Sequence, residues 1–246
     1  MGPALLLSAL MLGSAASAQF ETRATFSLAG AEPYSLVVGD FNRDGILDVA
    51  IPSASSAEVQ ILLGNGDGTF RRGATYSVGS AFHAATASLR NNGILDIVLG
   101  AANNDYVYVM LGNGDGTFEP AVGYLTTAAS KMIGLGDFTG DGRIDIFNLE
   151  GSSDLGVICN CVEVLPGNGD GTFGPPVTTP MPYGITGFAI ADGDFNDDGK
   201  LDVAVGGEFF SASQVDILLG NGDGSFSPEG LQPATSLQIR RSWTWR

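Results

Sequence analysis

Histidine, cysteine and positively charged residues are scarce in this sequence of 246 residues. One histidine and two cysteines occur, which excludes multi-histidine zinc sites and leaves no Cys–His metal set. Only 11 lysines and arginines stand against 27 aspartates and glutamates, so the formal net charge is −16. A protein this acidic repels phosphate backbones, and we therefore expect no nucleic-acid partner.

Long apolar runs are also missing, because no stretch reaches the roughly 20 residues of a membrane-spanning helix. The apolar run Ala4–Leu12 is followed by small residues that end in Ala16-Ser17-Ala18, a pattern typical of a signal peptide and its cleavage site. We interpret residues 1–18 as a signal peptide. The sequence thus predicts a protein without a membrane span that is secreted, extracellular or on the cell surface, or periplasmic in a Gram-negative cell.

Two motifs each occur four times, interleaved, at a spacing of about 50 residues, which indicates one structural unit copied four times. The glycine-rich motif, typically Leu-Gly-Asn-Gly-Asp-Gly-Thr-Phe, lies at 63–70, 111–118, 167–173 and 219–226. The aspartate motif, typically Asp-x-Asn-x-Asp-Gly-x-x-Asp, lies at 40–48, 137–145 and 194–202, with a degenerate copy at 88–96. We divide the chain into a repeat domain at 19–236, with units 20–69, 70–117, 118–172 and 173–226, and an atypical tail at 237–246.

Each unit has the pattern of four short strands. In residues 34–76, apolar and β-branched runs at 34–39, 47–52, 59–63 and 69–76 are separated by turn residues, and no helical periodicity is sustained. The predicted fold is all-β: a β-propeller-type array of four four-stranded antiparallel blades. Two alternatives remain. The array is an incomplete, open part of a larger ring, or a four-bladed ring in which Phe20–Leu28 completes the last blade. An open array would leave strand edges for self-association.

The aspartate motif predicts calcium-binding loops. Oxygen-bearing side chains at positions 1, 3, 5 and 9 and a glycine at position 6 suit a hard cation, and several carboxylates in one short loop would repel one another without it. We expect about three Ca²⁺ ions. The predicted ligands are Asp40, Asn42, Asp44, Asp48 and the Ile46 carbonyl in the first loop; Asp137, Thr139, Asp141, Asp145 and the Arg143 carbonyl in the third; and Asp194, Asn196, Asp198, Asp202 and the Lys200 carbonyl in the fourth.

The second loop is expected to bind no metal, because Arg90 brings a cation to a ligand position. An EF-hand does not fit the other three, since it needs flanking helices and a glutamate at position 12. That position holds Ile51, Asn148 and Val205.

Together the two motifs resemble FG-GAP/VCBS repeats, the units of the propeller in integrin α-subunit heads and in many exported proteins. The resemblance covers about residues 20–226. It implies Ca²⁺ at the loops just named and a role in adhesion or in ligand or glycan recognition, more often than catalysis. The family's usual propeller has seven blades, whereas four units are found here.

The ends of the blades opposite the aspartate loops are the expected ligand face. Six residues before the start of each loop stand Tyr34, Phe82, Lys131 and Phe188, with His83 beside them. The aromatic rings of this set could stack on sugars or on partner side chains, or they could cap the core. Glu150, Glu163 and Glu208 lie near the same ends as weak acid–base candidates. The hairpin aspartates Asp67, Asp115, Asp170 and Asp223 are expected to form turns.

The sequence therefore predicts an exported, calcium-binding recognition or adhesion module for an extracellular protein or carbohydrate, and not an enzyme. A polysaccharide lyase or hydrolase, an accessory domain of one, and a fragment of a larger repeat protein are the alternatives. Cys159 and Cys161 form either a disulfide, which export would permit, or two free thiols.

Overall fold

The fold is described by a computed structural model, which covers residues 32–101, 103–150, 161–181, 186–209 and 212–227. The predicted signal peptide, residues 20–28 and the atypical tail lie outside these described residues. Within them every regular element is a strand, and no helix is long and apolar enough to cross a membrane.

Sixteen strands follow one another along the described chain. They are β1 (Val37–Gly39), β2 (Asp48–Ser53), β3 (Glu58–Gly64), β4 (Phe70–Ser77), β5 (Ala81–Ala87), β6 (Asp96–Ala101), β7 (Tyr106–Met110), β8 (Val122–Leu125), β9 (Ser130–Gly136), β10 (Asp145–Glu150), β11 (Cys161–Leu165), β12 (Val177–Pro180), β13 (Thr186–Gly193), β14 (Asp202–Phe209), β15 (Ala212–Gly220) and β16 (Phe226–Ser227).

These strands form four antiparallel sheets, each made of four consecutive strands in sequence order. We call them blades 1 to 4. The first strands of neighbouring blades contact each other: β1 with β5, β5 with β9 and β9 with β13. The prediction of an all-β, propeller-type array of four blades is confirmed. The four strand runs predicted in the first unit begin within three residues of β1 to β4.

The sheets are one strand out of phase with the sequence units. A unit counted from one glycine-rich motif to the next begins with the outer strand of the preceding blade, because β4 (Phe70–Ser77) pairs with β3 of the same sheet. In blade 4 the outer place beside β15 is held by β16, through the pairs Leu219–Ser227 and Gly220–Phe226.

Apolar residues fill the spaces between neighbouring blades. Alternation along the strands sends β-branched and aromatic residues to both faces of each sheet, so every internal sheet is covered twice. We call the face that points to the next blade the trailing face and the one that points to the preceding blade the leading face. Between blades 1 and 2, Phe41, Val59 and Ile61 pack with Ile97, Met110 and Phe118. Between blades 2 and 3, Leu89, Val107 and Val109 pack with Ile146, Leu165 and Phe173. Between blades 3 and 4, Phe138, Val162 and Val164 pack with Val203, Leu218 and Phe226.

A polar link accompanies this packing at the end of the blades that bears the aspartate loops. The Phe41 ring meets the Phe118 ring edge-on at 5.4 Å between centroids, and Gly116 N–H donates to the Phe41 carbonyl at 3.0 Å. The same hydrogen bond recurs between blades 3 and 4, from Gly224 to the Phe138 carbonyl at 3.1 Å. Each such aspartate loop is therefore fastened to the glycine-rich hairpin of the following blade.

Candidate metal-binding loops and the opposite face

The first aspartate loop wraps its side-chain oxygens around its own backbone. Asp40 accepts hydrogen bonds from Asp44 N–H at 3.1 Å and from Gly45 N–H at 2.9 Å. Asn42 Oδ1 accepts from the same Asp44 N–H at 3.0 Å. The turn needs positive φ at Gly45, which has 82°, and glycine adopts this conformation without steric cost. Positions 1 and 3 thus direct oxygens to one point of the loop.

The third and fourth loops repeat this arrangement. Asp137 accepts from the N–H groups of Asp141 and Gly142 at 3.0 and 2.8 Å. Asp194 accepts from those of Asp198 and Gly199 at 3.1 and 2.8 Å. The hydrogen bond from Gly199 is the main cause that lowers the pKa of Asp194. The exposed Asp194 carboxylate is therefore held in its charged form.

The third loop differs from the first and fourth in the contacts of its seventh residue. Its Arg143 side chain pairs with the carboxylate of Asp141 and donates to the Gly167 carbonyl of the adjacent hairpin at 2.7 Å. A shallow depression lined by Asp137, Asp194 and Lys200, among others, lies between the third and fourth loops.

The second loop is held by a serine hydroxyl and an arginine ion pair in place of a first-position carboxylate. Ser88 Oγ replaces the first carboxylate and accepts from Asn92 and Gly93 N–H at 3.2 and 3.0 Å. The Arg90 guanidinium forms an ion pair with the buried Asp96 at 2.7 Å and donates to the Gly112 carbonyl at 2.6 Å. The side chain that was expected to keep a metal away is therefore bound to the loop's own ninth residue.

The ninth residue of every loop joins two motifs. Asp48 is fully buried and accepts from Phe41 N–H at 3.0 Å and from Gly64 N–H, at the start of the hairpin, at 2.8 Å. Asp96, Asp145 and Asp202 make the equivalent pair of bonds. Because Asp96 makes them in a loop without the metal motif, these bonds do not require a cation. Sequence reasoning assigned this position to the metal and missed its structural role.

Burial and hydrogen bonding shift the pKa values of a loop carboxylate, Asp145, and a hairpin carboxylate, Asp67, in opposite directions. Burial raises the pKa of Asp145, although its hydrogen bonds from the hairpin and loop work against this. In the exposed hairpins, the side-chain hydrogen bond from Thr69 is the main cause that lowers the pKa of Asp67. The Thr69 N–H and hydroxyl donate to that carboxylate at 2.9 and 2.6 Å. The hairpin aspartates are therefore turn residues, as predicted.

Across the part of the chain that the structure describes, no three His, Cys, Asp or Glu side chains converge as a ready-made metal site. The loop carboxylates accept backbone N–H groups instead. The oxygen set of the three intact loops nevertheless fits a hard cation, because carboxylate, amide and main-chain oxygens are the ligands that Ca²⁺ takes.

At the opposite ends of the blades, two of the predicted ligand-face residues meet. Tyr34 and Phe82, from blades 1 and 2, stack with ring centroids 4.6 Å apart and 28° between the planes. His83 follows Phe82, and burial lowers its pKa. Lys131 and Phe188 lie in β9 and β13, but their side chains fall outside the described part of the structure.

A buried polar cluster in blade 3 was not predicted. The fully buried Glu163 accepts hydrogen bonds from the N–H and hydroxyl of Thr127 and, at 3.0 Å, from the Thr178 hydroxyl. Asn148 lies opposite Glu163 in the strand register, fully buried. The order of strands and loops in a unit predicted that Glu163 lies near the ligand face, but only the register of β10 to β12 shows which polar residues surround it.

Cys161 is disulfide-bonded. The other cysteine in the sequence is Cys159, which lies outside the described residues. Of the two alternatives, Cys161 is therefore in a disulfide and is not a free thiol.

The comparisons with known proteins agree with the repeat motifs. The sequence model of the FG-GAP-like repeat family matches residues 89–148 and 137–205. Residues 89–205 are FG-GAP-like repeats. No curated protein is similar enough in sequence to count as a match.

Several solved structures resemble the array of blades. A lectin of Agrocybe aegerita that recognises non-reducing terminal N-acetylglucosamine is 18% identical, with a TM-score of 0.48, over 79% of this chain and 65% of the lectin. BBS1N in complex with ARL6DN is 12% identical, with a TM-score of 0.49, over 77% of this chain and 58% of that one. The Tc holotoxin pore of Photorhabdus luminescens is 18% identical, with a TM-score of 0.39, over 83% of this chain and 9% of that chain. This chain thus spans less than two thirds of the length of each.

Proposed function

We propose that this protein is an exported recognition module whose FG-GAP-like repeats bind about three Ca²⁺ ions and present the opposite face to a protein or glycan. The observation that carries the metal assignment is the contrast among the four loops. Three bring two or more carboxylates to a glycine turn, while the second replaces the first with Ser88 and neutralises Asp96 with Arg90.

The ligands in this proposal are the residues at positions 1, 3 and 5 with the position 7 carbonyl, such as Asp40, Asn42, Asp44 and Ile46. Position 9 contributes where its carboxylate has capacity beyond its two backbone bonds, since a carboxylate has about four lone-pair sites. A bound Ca²⁺ would neutralise the carboxylates and cross-link each loop. Its role is structural, and no chemical step is assigned to it.

Two features support export and a binding role. The apolar run Ala4–Leu12 has the pattern of a signal peptide, and the disulfide at Cys161 is typical of oxidising compartments. A binding role, not a catalytic one, is proposed because Glu163 is buried and already bonded to Thr127 and Thr178, which keeps it from acting on a substrate.

Calorimetric titration with Ca²⁺ tests the metal assignment. We expect about three ions per chain with Kd of about 10⁻⁴–10⁻³ M, the range of extracellular modules. At ten times Kd each ion would stabilise the fold by about 1.4 kcal/mol. Three ions would together raise Tm by roughly 10 °C relative to the chelated protein. Asp44→Asn should remove one ion, whereas Asp67→Asn, an equally exposed and equally charged hairpin position, should remove none. No heat and no change in Tm on chelation would contradict the proposal.

The stacked pair Tyr34–Phe82 is the proposed contact for the ligand, because an aromatic surface can stack on sugar rings or partner side chains. A glycan array probed with the calcium-loaded protein tests this. We expect Tyr34→Ala to reduce binding at least tenfold and Val122→Ala, an exposed residue on an outer strand, to leave it unchanged. Equal binding by both variants would exclude this pair as the contact.

A further inference from the structure

The leading face of blade 3 carries polar side chains at two positions that are apolar in blades 2 and 4. Asn148 is fully buried, and the buried residues at its position in blades 2 and 4 are Leu99 and Val205. Ser130 is also fully buried, and the strand register gives it an alanine as the equivalent in blade 2 and a glycine in blade 4. The interface between blades 2 and 3 therefore buries two polar side chains that the other interfaces do not have.

Both side chains point towards blade 2 and share this face with Glu163. A Cβ on Gly100 of blade 2 would lie 2.5 Å from Ser130 Oγ and 3.3 Å from Ile133 Cγ2. Asn148 is paired with Ile133 on one side and with Glu163 on the other, and residues directly opposite each other in neighbouring strands lie on the same face of the sheet. Ser130, Asn148 and Glu163 are therefore neighbours on the adjacent strands β9, β10 and β11.

The amide of Asn148 and the hydroxyl of Ser130 have no hydrogen-bond partner among the described residues. The unpaired buried atoms are Oδ1 and Nδ2 of Asn148 and Oγ of Ser130. Buried polar groups are nearly always bonded to protein, to water or to an ion, because removing them from water without such a bond costs free energy. These atoms therefore indicate a polar guest beside Glu163.

Glu163 adds a buried carboxylate to the same place. The ion pairs found among the described residues are those of Arg90 and Arg143, and neither includes Glu163. Its Oε2 accepts the Thr127 N–H at 3.2 Å, which leaves lone pairs of this oxygen free for a further contact. A buried carboxylate is stabilised by a compensating charge, and a single carboxylate matches one monovalent cation.

We propose that a monovalent cation of the size of Na⁺ binds between blades 2 and 3 at Glu163, Asn148 and Ser130. Glu163 Oε2, Asn148 Oδ1 and Ser130 Oγ would coordinate the ion, and Asn148 Nδ2 would donate to the carboxylate. Oxygen ligands suit hard cations. One carboxylate balances a single positive charge, whereas the aspartate loops offer several carboxylates and suit Ca²⁺. The proposal goes beyond the proposed function and does not depend on Ca²⁺.

Thr127 connects this site with the solvent. It is an exposed residue whose hydroxyl donates to Glu163. It also lines an open depression, together with Tyr124, Phe173 and Pro176 among others. Rotation of the Thr127 side chain would therefore open a path for the ion.

Thermal unfolding in two chloride salts tests the proposal. The full chain is unfolded in the presence of EGTA, in NaCl and in choline chloride of equal ionic strength, because the choline cation is too large for a site inside the interface. At about ten times its Kd, Na⁺ should raise Tm by about 3–6 °C relative to choline, since it binds the folded protein and not the unfolded chain.

Two site variants and one control show whether this difference comes from the proposed site. Glu163→Gln removes the charge but keeps an oxygen for Thr127 and Thr178, and Asn148→Leu introduces the residue type that blade 2 has at this position. Each should abolish the difference in Tm between the two salts. Glu119→Gln makes the same change of charge at an exposed position and should retain the difference. Each variant is compared with itself in the two salts, so a change in its own stability does not affect the result.

Sodium NMR gives a second measurement that does not require unfolding. With EGTA present, the wild type and Glu119→Gln should broaden the sodium signal equally, and Glu163→Gln should broaden it less. An equal Tm of the wild type in the two salts would mean that a proton, another charge or a buried water satisfies these groups, and it would overturn the proposal. A difference in Tm that persists in Glu163→Gln, or that Glu119→Gln also abolishes, would overturn it as well.

Discussion

At the scale of single residues, aspartate performs three different tasks in each intact repeat. The first and fifth loop positions hold exposed or half-buried carboxylates. The ninth is buried and fastens the loop to the hairpin, and the hairpin aspartate shapes a turn. Asp40, Asp48 and Asp67 are the examples in blade 1. The proposed metal therefore accounts for only part of the acidic composition, since two of these tasks consist of hydrogen bonds to neighbouring groups of the chain.

Replacing Asp48 tests the fastening role. Asp48→Ala leaves the buried N–H groups of Phe41 and Gly64 without acceptors, and each unsatisfied group costs about 1–3 kcal/mol. We expect the free energy of unfolding, measured with urea in the presence of chelator, to fall by about 3 kcal/mol. Asp44→Ala removes an exposed carboxylate and should cost about 1 kcal/mol or less. Equal losses in the two variants would show that position 9 has no such role.

The hairpin aspartates make stability depend on acid pH. Because the Thr117 hydroxyl and N–H lower the pKa of Asp115 below its ordinary value of 3.8, the folded protein binds this proton less tightly than the unfolded chain. The resulting stabilisation is complete above pH 3.8 and is lost as the pH falls through the lowered pKa. We expect Asp115→Asn to show a smaller loss of Tm than the wild type between pH 5 and pH 2.5. Comparing the two proteins cancels the opposite contribution of Asp145. Parallel pH profiles would contradict this.

At the scale of the element, the degenerate second loop is a natural comparison for the other three. It keeps the turn, through Ser88 and Asn92, and keeps the ninth-position bonds of Asp96. It differs from the first loop in the charge at positions 1, 3 and 5. Loop geometry and the proposed metal affinity are therefore separable within one chain.

Restoring the missing side chains should create a fourth metal site. In the double variant Ser88→Asp/Arg90→Asn, the second loop has the ligand types of the first, with Asn92 in place of Asp44. We expect the calorimetric stoichiometry to rise from about three to about four Ca²⁺ ions. Arg90→Asn alone removes the ion pair with Asp96 without adding a carboxylate and should leave the number unchanged. A double variant that stays at the wild-type number would count against the assignment of these positions as ligands.

The blade was largely predictable from sequence, and the reasons are local. Glycine and asparagine fix the hairpins, and short β-branched runs such as Val59–Leu63 fix the strands. The position 9 aspartates, the cluster around Glu163 and the contact of Tyr34 with Phe82 were not foreseen in detail. Each depends on residues brought together from different strands or blades, and strand alternation gives the face of a residue but not its neighbour across the sheet or interface.

At the scale of the whole molecule, the array behaves as a row of units in which each blade is stabilised by its neighbours. Three similar apolar interfaces connect four blades, so stability is expected to be a sum of blade and nearest-neighbour contributions. Among the described residues no blade follows blade 4. The same residue type therefore contributes differently to stability at an internal interface and at the trailing face of blade 4.

Truncating isoleucines at equivalent positions of blades 1 and 4 should measure this difference in stabilisation. Ile61 is fully buried between blades 1 and 2, whereas Ile217 on the trailing face of blade 4 is 39% exposed. Ile61→Ala should lower the free energy of unfolding by about 2–5 kcal/mol, the cost of a cavity in a packed core. Ile217→Ala should cost about 1 kcal/mol or less, because it leaves no enclosed cavity. Urea unfolding of both variants measures the difference. Equal costs for Ile217→Ala and Ile61→Ala would contradict it, because they would mean that the trailing face of blade 4 is covered as tightly as an internal interface.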